Sequence, residues 1–148
     1  MSSSAYAALI AAAAGLGGAV QIAVQGRLGD RVGSLEAMAT ASLIGAALAV
    51  VVLLVARRSL AGVGDAMGSP KWMLVGGVMS ALIILAITVA GPRIGVVATT
   101  AFLIAAQFAL ASVIDRYGWF GVDRIGFTWT RVLGLGLLVV GAALTLRR

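Results

Sequence analysis

The chain has 148 residues, of which 61% are hydrophobic and 11% charged, and its mean hydropathy is +1.11. Soluble domains are nearer ~45–50% apolar, so this composition excludes an ordinary soluble globule and describes a membrane protein with short loops. A net charge of +6 would suit nucleic acid, but the 11 basic residues are spread over the connections and form no stripe, which excludes that partner.

Five apolar stretches are expected to cross the bilayer as helices, each near the ~20 residues a crossing needs. They are Ala5–Gln25, Ala37–Ala56, Trp72–Ala90, Val96–Ile114 and Phe127–Leu146. No length is left for a separate soluble domain, so residues 1–148 read as a single transmembrane domain. The opening Met1-Ser2-Ser3-Ser4 lacks the basic residues of a secretory signal, so the first stretch is expected to be a retained helix. Gly26–Glu36 reads as the first link, where Gly26, Gly29 and Gly33 favour turns. The second link, Arg57–Lys71, contains Ser69-Pro70. Gly91-Pro92-Arg93-Ile94-Gly95 reads as a tight turn that makes an antiparallel hairpin of the third and fourth spans. Asp115–Gly126 is a glycine- and aromatic-rich fourth link. Within the spans, small residues recur every fourth position, as in Ala11/Gly15/Ala19, Ala41/Gly45/Ala49, Gly76/Ser80 and Ala101/Ala105/Ala109. Such stripes let helix backbones approach closely in lipid.

Five crossings put the termini on opposite faces. One face then carries Arg57, Arg58, Lys71, Arg116, Arg124 and Arg131, and the other Arg27, Arg31, Arg93, Arg147 and Arg148. Orientation normally follows an excess of Lys and Arg on the cytoplasmic side. Six against five is almost no signal, so the chain can insert both ways. Two copies could then pair antiparallel into a ten-helix body with inverted symmetry, a recurrent construction in secondary transporters. Tyr6, Trp72, Tyr117, Trp119 and Trp129 all fall on one face. Aromatic belts usually mark both interfaces, and an antiparallel pair would supply one belt to each.

Polar side chains inside the spans are few, and each is informative. Gln21 and Gln25 stand four apart near the end of the first span, and Gln107 lies mid-way along the fourth. A carboxamide offers donors and an acceptor, so all three are candidate contacts for a small polar or charged solute. The competing reading is an interhelical hydrogen bond, for Gln25 above all. Asp115 and Arg131 end and begin adjoining spans on one face and are expected to form a structural or gating ion pair. Arg131 could instead simply snorkel to water. Ser80, Thr88, Thr99 and Thr100 are expected to bond back to the preceding helical turn. The acidic residues Asp30, Glu36, Asp65, Asp115 and Asp123 all lie in links or at span ends, which weakens a simple proton-antiport mechanism. Cysteine and histidine are absent. No nucleophile–base set, metal cluster or phosphate loop can be assembled, so neither an enzyme, a metal site nor a cofactor is expected.

Several segments together resemble the five-helix YdcZ-type half-transporters of the drug/metabolite transporter superfamily. They are Gln21 to Gly29 (QIAVQGRLG), Ser69 to Gly77 (SPKWMLVGG), Gly91 to Gly95 (GPRIG), Gln107 to Gly121 (QFALASVIDRYGWFG) and Thr130 to Gly141 (TRVLGLGLLVVG). The resemblance runs over essentially the whole chain and rests on the order and spacing of the motifs. It departs from the family at Gln25, where members often carry Asn. It implies an all-α, multi-pass protein of the bacterial inner membrane that works as an antiparallel homodimer or with an oppositely oriented homologous chain. The related small multidrug transporters have four helices and a central membrane Glu; this chain has neither, so their coupling does not carry over. The expected function is secondary transport of a small solute by alternating access, with membrane lipid as the surrounding partner. A dual-topology passive channel and an accessory membrane subunit remain as alternatives.

Overall fold

The structure, a computed structural model, describes residues 3–126 and 128–146. Phe127, expected to open the fifth span, lies outside the described residues, as do Met1, Ser2 and the basic residues Arg147 and Arg148. The described residues form six α-helices in the order α1 (Ser3–Val32), α2 (Ser34–Arg57), α3 (Ala61–Met67), α4 (Val75–Ile94), α5 (Val96–Tyr117) and α6 (Trp129–Leu144). Two 3-10 turns, Lys71–Leu74 and Trp119–Gly121, precede α4 and follow α5.

Four helical stretches are long and apolar enough to cross a membrane: α1, α2, the run Lys71–Ile94, and α5. The apolar α6 has only 16 residues, or ~24 Å at ~1.5 Å per residue, against ~30 Å of hydrocarbon. It is shorter than the stretch expected from hydropathy. Thr128 is extended, with φ −105° and ψ 148°, and the helix closes where Thr145 donates its N–H to Gly141 at 3.2 Å.

The links are also shorter than the glycine and proline positions suggested. Of Gly26–Glu36, only Gly33 is non-helical. Its φ of +102° suits glycine and separates α1 from α2, whose first turn carries Glu36. Gly26 and Gly29 lie inside α1 instead of turning it. The tight turn expected at 91–95 reduces to Gly95, with φ +85°, because α4 continues through Pro92 and Arg93 to Ile94. Arg93 Nη1 caps that end by donating to the Val89 carbonyl at 3.1 Å. The second link contains α3, whose entry is fixed by the Ala61 N–H donating to Ser59 Oγ at 3.1 Å.

The chain divides into two compact units, one running up to Ile22 and again from Ile94 onward, the other Ala23–Arg93. In the first, α5 packs along α6. The positions it buries on α5 are mostly small: Ala98, Ala105 and Ser112 at seven-residue intervals, with Ala142 on α6. In the second, the end of α1 lies against α4. A Cβ on Gly26 would sit 3.0 Å from Pro92 Cδ, and one on Gly29 would collide with Thr88 Cγ2. The other small-residue stripes stay open: a Cβ added at Gly15, Gly45 or Gly76 would meet nothing within 4 Å. Of α2, only Ala37 is buried, and Leu43, Ile44, Leu48 and Val55 are exposed. Such faces suit lipid or another apolar chain.

Candidate functional site

The three candidate amides are placed differently. Gln21 and Gln107 are exposed on α1 and α5 and belong to the first unit. Gln25 belongs to the second and is 5% exposed. It stands one helical turn before Gly29 and shares that face of α1. The structure does not gather the three amides into one unit.

The hydroxyls are accounted for locally. Thr88 donates to the Ile84 carbonyl at 2.7 Å, Thr99 to Gly95 and Thr100 to Val96 at 2.8 Å, and Ser80 to Gly76 at 3.0 Å, as expected. Ser112 does the same with Phe108 at 2.8 Å. Against that background Gln25 stands out. Its Nε2 is buried and has no hydrogen-bond partner among the described residues. An orphaned buried donor costs about 1–3 kcal/mol. The helix beside it is also interrupted: Pro92 has no N–H to offer the Thr88 carbonyl. The sequence reading missed this seam, formed by Gly26 and Gly29 against Thr88 and Pro92, because its glycines resembled turn residues. The three-residue spacing of Gly26 and Gly29, which puts both on one helix face, was the available signal.

At the end of α5, Asp115 is a junction. Its Oδ2 accepts from Arg131 Nη1 at 2.9 Å, and its backbone carbonyl accepts from the Ile125 N–H at 2.8 Å. One residue thus ties the end of α5, the connecting loop and the start of α6. Both side chains are about one-third exposed, at 31% and 34%, so water screens the pair and its worth is modest. Arg131 is therefore paired rather than only snorkelling. The loop between them turns at Gly118, φ +66°, where a Cβ would meet Arg124 Cγ at 2.8 Å. Tyr117 and Trp119 stack beside it, ring centroids 5.8 Å apart. Aromatic side chains of this kind suit a membrane interface.

A family model described as "Putative inner membrane exporter, YdcZ" matches residues 6–144. The chain belongs to the YdcZ family of drug/metabolite transporters. It is accordingly a multi-pass inner-membrane protein, of a family of exporters and not of enzymes. No curated protein and no solved structure matches it.

Proposed function

We propose that this YdcZ-family chain is half of a secondary transporter for a small polar solute. In this reading α6 completes a fifth crossing, its shortfall met by flanking residues or local thinning of the bilayer. Two copies insert in opposite orientations and pair into a ten-helix body with inverted symmetry, which works by alternating access. The candidate solute contacts are Gln21 and Gln107 within the first unit and, separately, Gln25 within the second, and the Asp115–Arg131 pair braces or gates one mouth. The observation that carries the pairing is the six-to-five split of Lys and Arg between the two faces. The apolar faces that α2 leaves uncovered give a second copy something to pack against.

Purified protein in proteoliposomes tests the transport reading. Once a screen for thermal stabilisation has supplied a solute, labelled solute outside should exchange with unlabelled solute inside faster than it enters empty vesicles. Equal rates would replace the carrier by a passive channel, which the lack of a carboxylate in the centre of any span would also suit. No flux at all would leave an accessory subunit.

A further inference from the structure

The unsatisfied amide of Gln25 says more about the solute than that it is polar. The other buried polar side chains among the described residues, Thr88, Thr99 and Ser112, each donate to a carbonyl one turn back. Gln25 Nε2 does not, although its residue is 5% exposed. A carboxamide nitrogen can only donate, so the group that would satisfy it is a hydrogen-bond acceptor. The seam beside it is locally weakened, because Pro92 cannot donate to the Thr88 carbonyl. Its two closest approaches involve little side-chain bulk, Gly26 on Pro92 and Gly29 on Thr88.

The charges select among acceptors. Asp30, Glu36, Asp65, Asp115 and Asp123 all lie in links or near helix ends, and none lies in the apolar run of α1 before Gln25. An organic cation would find Asp30 as its one counter-charge on α1. Arg27 and Arg31 follow within two turns, both exposed, with Asp30 between them, which leaves a small positive excess.

We infer that the α1–α4 seam at Gln25 is a closed cargo site for a small organic carboxylate, with Gln25 Nε2 as the donor to its oxygen. This rests on the transporter reading above. Buried and occluded, the site is in its closed state, and the carboxylate enters when α1 parts from α4.

The test is thermal unfolding of the purified full chain in detergent, with acetate, lactate, succinate and benzoate as probes and choline and tetraphenylphosphonium as cationic controls. At least one carboxylate is expected to raise the wild-type midpoint, and neither cation to do so. Gln25→Met keeps the volume and removes the orphan; it should unfold at or above the wild-type temperature and lose the carboxylate response. Gln25→Asn keeps a donor and should retain part of the response, which covers the case in which the Met variant does not fold. The inference is overturned if no carboxylate shifts the midpoint, if the cations do so instead, or if Gln25→Met unfolds earlier while keeping the wild-type response. That last result would make the amide a structural group satisfied by an internal water. Carboxylate binding without flux in proteoliposomes would keep the site and remove the transporter. Flux of an organic cation untouched by Gln25→Met would do the reverse.

Discussion

Substituting Gly29 by alanine probes the α1–α4 seam directly. The new methyl would stand where Thr88 Cγ2 already is. Thr88 cannot easily turn away: it is 2% exposed, and its hydroxyl is bonded to the Ile84 carbonyl at 2.7 Å. A threonine in a helix has few staggered alternatives. The backbones must therefore separate, and overpacking of this kind costs about 1–3 kcal/mol. Alanine gains up to about 1 kcal/mol over glycine in helix propensity. The net expectation is a loss of up to about 2 kcal/mol for Gly29→Ala. Thr88→Ser removes the obstructing methyl and keeps the hydroxyl; alone it should cost about 1 kcal/mol for the buried methyl. The double variant should be close to wild type, which means a coupling of at least about 1 kcal/mol. Unfolding in mixed micelles by titrated SDS, followed by tryptophan fluorescence, measures all four proteins. Additive losses would refute the close approach of the two helices.

Three further expectations concern topology, pairing and transport. Reporters fused after Arg148, one active only in the cytoplasm and one only outside, should both give signal, and two or three added Lys on one face should silence one of them. A single-sided signal in the unaltered chain would require an oppositely oriented partner chain in place of the homodimer. Asp115→Asn and Arg131→Gln should each lower stability in detergent, and the double variant should lose less than the sum by up to about 1 kcal/mol; strict additivity would deny the pair any energetic role. Gln107→Leu is expected to abolish transport while the dimer persists on size-exclusion chromatography, since an exposed side chain leaves no void; wild-type flux would remove Gln107 from the solute path, and loss of the dimer would make it a contact between copies.

Sequence alone located four stretches that form helices long and apolar enough to cross a membrane, because a side chain's cost in hydrocarbon depends mainly on its own chemistry. Arg57, Arg93 and Arg116 mark ends of α2, α4 and α5 without reference to any neighbour. The hydroxyl bonds of Ser80, Thr88, Thr99 and Thr100 were legible for the same reason, since their acceptors lie four residues back in the same helix. Gly26, Gly29 and Pro92 misled, because their local preference is for turns. The fold uses the two glycines for contact with α4 and carries the proline in a final helical turn, where few backbone bonds are lost. Only tertiary structure could separate Gln21 from Gln25. They are the same residue one turn apart on one helix, and burial depends on what else comes to lie beside each. The junction at Asp115 likewise needed the closed loop, because its partners Ile125 and Arg131 are 10 and 16 residues away and meet it only after α5 has turned back into α6.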